Sequence, residues 1–188
     1  QTNVVLKSLI NSQFLIDDLQ ITTKEIKLND VIELAKIFQN SPQLFVLDTI
    51  IKEGSITANI NLNFDENGKI KKNYKIKGSI KKAKLNILNQ FKLQSLNFNF
   101  DIDENNYLLK QIDTKLNGIK ITSPLIEIKK KKKLFFVNGK FLNDKQNFDI
   151  EELGVIFANL FNSADIQKIE FSAINNFSFN FNKNLKFD

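Results

Sequence analysis

Apolar and polar residues alternate with a period of two along most of this chain, and that alternation constrains its fold more than any motif. Ile56, Ala58, Ile60, Leu62 and Phe64 are separated by Thr57, Asn59, Asn61 and Asn63. Successive strand side chains point to opposite faces, so the spacing predicts a strand with one apolar face. Asn67-Gly68 follows, a dipeptide suited to a type I′ turn, and Ile70, Tyr74, Ile76 and Ile80 would return on the same face. At Lys81-Lys82 the phase slips and Ala83, Leu85 and Ile87 continue on odd numbers, which predicts a β-bulge or a strand end. Leu96, Phe98, Phe100 and Ile102 alternate again, then Ile112, Thr114 and Leu116, then Ile119 and Ile121. A break is expected at Thr122-Ser123-Pro124. Ile126 and Ile128 resume, Phe135, Val137 and Phe141 follow, and Phe177, Phe179 and Phe181 end the series. With Val4 to Ile10 and Phe14 to Ile21 as earlier strands, the pattern describes an antiparallel meander.

Two regions show helical spacing instead. Asp30 is placed to cap a helix in which Val31, Leu34, Ala35 and Phe38 recur, and Ser41-Pro42 to open a second one running to about Ile51. Asp149 and Glu152 form a variant capping box ahead of Leu153, Ile156, Phe157 and Leu160. These helices would cover an open side of the sheet. Asp30-Val31-Ile32-Glu33-Leu34 resembles Asp149-Ile150-Glu151-Glu152-Leu153, and Leu62-Asn63-Phe64 resembles Phe179-Asn180-Phe181. Helix plus meander near 30–148 would thus restart near 149–188, a repeat of roughly 118 residues inside one 1–188 segment.

Composition removes several kinds of chemistry. Cysteine and histidine are absent, and with them thiol nucleophiles, disulfides, thiolate or imidazole metal sites and the usual proton shuttle. All 27 basic residues are lysine, and Lys, Asn, Ile and Phe fill about half the chain, a bias that reads as AT-rich coding before function. The net charge of +6 is correspondingly weak as a sign of an acidic partner. No run approaches the roughly 20 apolar residues of a membrane-spanning helix, and Ser8, Asn11 and Ser12 interrupt any signal-like start. A chain that opens at Gln1 and lacks methionine is expected to come from a longer protein.

Chemical motifs are few. Asp101, Asp103 and Asn105 imitate the start of a calcium loop, but Asn106 and Ile112 stand where glycine and glutamate are needed. Neighbouring acids at Asp17-Asp18 point to opposite faces of a strand, and Glu151-Glu152 favours a helix N-terminus; neither pair makes a glycosidase site. The six glycines form no phosphate-binding loop. No enzyme activity, cofactor or metal is expected. Lys129 to Lys133 would suit anionic lipid head groups or nucleic-acid phosphate, although a solvated hairpin turn explains the run more simply. Without arginine's bidentate fork, and without an RRM core around Phe135-Phe136-Val137-Asn138-Gly139, no nucleic-acid partner is expected.

Gly54-Ser55-Ile56-Thr57-Ala58-Asn59-Ile60, Asp65-Glu66-Asn67-Gly68 and Tyr74-Lys75-Ile76-Lys77-Gly78-Ser79-Ile80 form one glycine-punctuated set of strands. Leu116-Asn117-Gly118-Ile119-Lys120-Ile121-Thr122-Ser123-Pro124 and Val137-Asn138-Gly139-Lys140-Phe141 form another. Over about residues 50–188 this resembles the large AsmA-like proteins of bacterial envelopes, including the YhdP and TamB relatives. The resemblance implies a long, curved, open β-sheet with a hydrophobic groove, in the periplasm and attached to the inner membrane by a segment outside this one. It further implies phospholipid acyl chains as the partner, carried between inner and outer membranes. The groove lining would then be Ile56, Ala58, Ile60, Leu62 and Phe64, with Tyr74, Ile76 and Ile80, Leu96, Phe98 and Phe100, Ile112 and Leu116, and Phe177, Phe179 and Phe181. Two alternatives stay open: a closed β-sandwich with a dry core, and a structural or adaptor domain that assists outer-membrane assembly through envelope protein partners.

Overall fold

Among the described residues the chain forms ten strands and two short helices. The structure, a computed structural model, describes residues 2–10, 13–38, 42–87, 90–149 and 168–182. In chain order these are β1 (Thr2–Ile10), β2 (Gln13–Thr22), β3 (Ile26–Lys27), α1 (Leu28–Phe38), α2 (Pro42–Ile50), β4 (Ile51–Asn63) and β5 (Lys75–Ile87). Then come β6 (Phe91–Ile102), β7 (Asn106–Leu116), β8 (Ile119–Lys131), β9 (Leu134–Asp149) and β10 (Lys168–Asn182). Every strand joins one antiparallel sheet in chain order, with the short β3 beside β4, and the sheet does not close into a barrel. Because all the described strands lie in this sheet, the face-to-face sandwich is not formed.

The phase slip at Lys81-Lys82 is a β-bulge, and its neighbours share it. Between the pairs Ile80–Phe98 and Ala83–Leu96, β5 carries one extra residue, and Lys82 takes a φ of 51°. Extra residues also fall at Ser95 in β6 (φ 52°) and Gln111 in β7 (φ 53°). In β8 the extra residue falls between Thr122 and Ile126, beside Pro124. The expected strand break at Pro124 therefore does not occur: β8 runs through it, and proline, which has no N–H to give the ladder, sits where the ladder is already irregular. Positive φ disfavours non-glycine residues, and polar side chains support these positions. The Lys82 amide donates to Asn97 Oδ1 at 2.9 Å, Asn97 Nδ2 donates to the Ser95 carbonyl at 2.7 Å, and Thr114 Oγ1 donates to the Gln94 carbonyl at 3.1 Å.

Helix α1 lies over β4, with Leu28 and Ile32 buried. Gly54 makes this approach possible. Its φ is 131°, and a Cβ there would lie 2.8 Å from Leu28 Cδ1 and 2.7 Å from the Ala83 backbone. The helix starts at Leu28, so Asp30 stands inside the first turn, where its charge favours the dipole, instead of capping it. Pro42 opens α2 as expected, while Ser41 lies outside the described residues. Asp149 ends β9; the helix expected after it, and with it the capping box and the second copy of the repeat's helix, lies outside the described residues.

The β4–β5 hairpin has the expected partners, with Ile60 opposite Ile76, but a different turn. Gly68 alone has positive φ, at 72°, and its amide donates to the Asp65 carbonyl. The Asp65 carboxylate accepts from the amides of Asn67 and Lys69, so a side chain holds the turn and a type I′ pair is not needed. Phe64 and Ile70 make a single bridge, and residues 71–74 leave the ladder.

Deleting Lys82 should turn Ala83, Leu85 and Ile87 to the wrong face. We expect a loss of about 3 kcal/mol or more in urea unfolding, since burying one Leu or Ile is worth roughly 1.5–3 kcal/mol. Asn97→Ala removes only the solvent-exposed support and should cost about 1 kcal/mol. Equal, small effects from both changes would show that the bulge does not set the phase.

Candidate functional site: an apolar face crossed by continuous rows

Two continuous apolar rows cross one face of the sheet. Cross-strand pairing links Ile21, Ile60, Ile76, Ile102, Tyr107, Ile128, Val137 and Phe179 in one uninterrupted row from β2 to β10. A second row beside it joins Ala58, Gly78, Phe100, Leu109, Ile126, Gly139 and Phe177. Both glycines of this row stand opposite phenylalanines. A Cβ at Gly78 would lie 2.5 Å from Phe100 Cζ, and one at Gly139 would lie 2.6 Å from Phe177 Cζ, so each ring occupies the room its partner leaves.

Over β4 to β7 this face hollows into a cavity of about 420 Å³. Ile56, Ala58, Ile60, Ile76, Ile80, Phe98 and Phe100, all expected as lining, are brought together there. Thr23, Ile26, Val31, Ile102 and Leu109 also line it and were not in the expected set. Ile102 had been visible as the next alternating residue after Phe100. Leu109 was hidden because the bulge at Gln111 puts it out of phase with Ile112.

The other expected residues lie elsewhere on the sheet. Leu96 pairs with Ala83, Leu116 pairs with Leu93 and Ile119, and Ile112 is buried opposite Ser123. Leu62 borders a separate cavity of about 560 Å³ with polar walls that include Asp18, Gln20 and Asn61. Phe64 and Tyr74 flank the β4–β5 turn. Phe177, Phe179 and Phe181 extend an aromatic arc, with Phe141–Phe177 at 4.8 Å, Phe135–Phe181 at 5.2 Å and Tyr107–Phe135 at 6.2 Å. Buried Thr114, Ser123 and Asn143 interrupt the face on β7 to β9, which confines continuous apolar surface to the rows described above.

The opposite face is polar and ion-paired. Thr57 and Ser79 hydroxyls meet at 2.9 Å, Asp101 bridges Lys77 and Lys110, and Glu53 pairs with Lys84. Asp103, from the calcium-like sequence, accepts the amides of Asn105 and Asn106 at a hairpin turn. Those bonds, the Asn105 amide foremost, hold its carboxyl below the ordinary range. The lysine run divides by position: Lys129 pairs with Glu127, Lys131 lies over the Phe136 ring, and Lys132-Lys133 form the β8–β9 turn.

Tyr74 is held above its ordinary pKa of 10.0, first by burial and then by the nearby Tyr107, Glu104 and Asp103. The folded state thus disfavours the phenolate. Stability linked to this group should be full below pH 10 and decline as pH rises above it. Phenolate absorbance should show one of the two tyrosines ionising late, and Tyr74→Phe should remove that late step. A curve that loses an ordinary tyrosine instead would contradict this environment. The chain matches no family model, no curated protein and no solved structure.

Proposed function

We propose that this chain is a non-enzymatic segment of an AsmA-like envelope protein that shields phospholipid acyl chains between the inner and outer membranes. One observation carries the reading: an apolar row crosses eight strands without a polar interruption. Seven steps at a strand spacing of roughly 4.8 Å give a lane of roughly 34 Å. An acyl chain of about 15 Å, half a bilayer's hydrocarbon thickness, fits along it. Hydrocarbon leaving a bilayer for such a lane passes from one apolar medium to another, so the transfer needs little free energy. Periplasmic location and attachment to the inner membrane through another segment belong to the same proposal.

A second reading, an adaptor in outer-membrane assembly, has its own support. Leu34 and Ile37 of α1 and Phe45, Val46 and Leu47 of α2 are exposed, an apolar surface of the kind that docks a protein partner. Lipid analysis of the purified chain separates the two: co-purifying phospholipid favours the lane, and a lipid-free chain favours the adaptor.

Ile60 and Phe98 both line the 420 Å³ cavity. In a sealed core an unpaired aspartate at either place would cost several kcal/mol, a large part of the roughly 5–15 kcal/mol that holds a domain together. In an open lane the carboxylate reaches water. Ile60→Asp and Phe98→Asp should therefore stay folded by circular dichroism, melt only slightly earlier, and lose phospholipid. Unfolding of both would count against an open lane, and normal lipid binding by both would remove these residues from the path.

A further inference from the structure

Of five consecutive lysines, strand alternation sends one to the groove face. Ile126 and Ile128 belong to the apolar rows, so Lys130 follows them on that face, opposite Phe135. Its neighbours are otherwise engaged, Lys129 with Glu127 and Lys131 over Phe136. Lys130 makes no ion pair among the described residues.

Three features converge on this corner. Phe135, paired with Lys130, is in ring contact with Tyr107, which is itself part of the long apolar row. Tyr74 stands two residues before Ile76, and Ile76, Ile102 and Tyr107 lie in one cross-strand row, so the two tyrosines of the chain stand at the same end of the strands. The acids of the adjacent turn are committed elsewhere: Asp103 accepts the amides of Asn105 and Asn106, and Glu104 lies 3.6 Å from Lys72. A cation and two phenols thus stand at one end of the strands, beside an apolar lane. Amphipathic aromatics and lysine at the edge of an apolar region are what the boundary of a bilayer also presents to a head group.

We propose that Lys130, with the hydroxyls of Tyr107 and Tyr74, holds the phosphate of a lipid head group at this rim while the acyl chain lies along the apolar rows. This rests on the lane reading and adds to it a polar end and an anionic ligand. The ammonium supplies the charge-assisted contact, and the phenol hydroxyls donate hydrogen bonds.

The test uses the full chain with decyl phosphate and decanol, which share a hydrocarbon tail and differ in the phosphate, each titrated by calorimetry as a monomer. The wild-type chain should bind decyl phosphate about tenfold more tightly, as one charge-assisted contact gives. Lys130→Gln should remove that preference and leave decanol binding unchanged. The double change Lys132→Gln, Lys133→Gln should keep it. Equal binding of the two amphiphiles by the wild-type chain would overturn the head-group site while leaving the lane intact. An equal loss in the turn variant would overturn it too, by showing diffuse charge attraction. Displacement of decyl phosphate by inorganic phosphate at equal concentration would mark a phosphate site independent of lipid, and also overturn it. If neither amphiphile binds, the lane reading itself fails and the proposal falls with it.

Discussion

The apolar face of this sheet rests on one constraint: a residue inserted into one strand flips every side chain beyond it, so neighbouring strands keep a common face only if they make the same correction. Here the correction is one inserted residue in each of β4, β5, β6, β7 and β8, placed side by side in a seam. An insertion in one strand alone would send half of its apolar residues to the polar face, because the side-chain period is two. Shared, the insertions cancel. Ile51, Leu85, Leu93, Leu116 and Ile119 on one side of the seam then lie on the same face as the two long rows on the other. Three residues adopt positive φ to achieve this, which is unfavourable for L-residues, and Asn97 and Thr114 offset part of that by bonding nearby backbone groups.

The same seam decides what could be read from the residues alone. Even-numbered alternation in 56–64 gave the strand and its face directly, because one strand's phase is a local property; the slip at Lys81-Lys82 marked the irregularity but fitted a strand end as well as the bulge that forms. The matching insertions at Ser95, Gln111 and Pro124 are visible only once the strands are paired. Tyr107 and Leu109 were therefore missed, and Pro124 looked like a break. Val31 and Ile26 reach the cavity through the packing of α1 and β3 on β4, a tertiary arrangement that period-two spacing does not encode. The turn at Asp65 differs for a related reason: a side chain supplies the hydrogen bonds that the Asn-Gly dipeptide would have supplied through two positive φ angles.

A single layer has consequences for how the apolar face is treated. Each inner strand packs on its two neighbours, with α1 adding cover at β4, so stability accrues strand by strand as in repeat architectures. The lane follows the same geometry. Its rows run across the strands, so its length depends on how many strands the sheet holds and its width on how long they are. Adding a strand lengthens the lane by roughly 4.8 Å without disturbing the others, provided the new strand respects the seam.

The two ends of the strands are chemically unlike, and this asymmetry gives the lane an orientation. At the end where β4 begins and β5 finishes, α1 lays Leu28 and Ile32 onto the sheet, and the face is covered by hydrocarbon. At the other end the turns after β4, β6 and β8 carry Lys69, Lys71 and Lys72, Asp103 and Glu104, and Lys132 and Lys133. The groove side of that end holds Tyr107, Phe135 and Lys130. An amphiphile entering this face minimises its free energy by keeping its tail among the isoleucines and its charge at the turns, because burying the charge beside α1 would cost several kcal/mol. The polarity of the proposed amphiphilic ligand would thus match the polarity of the strand ends, and a wholly apolar molecule would leave the Lys130 rim unused.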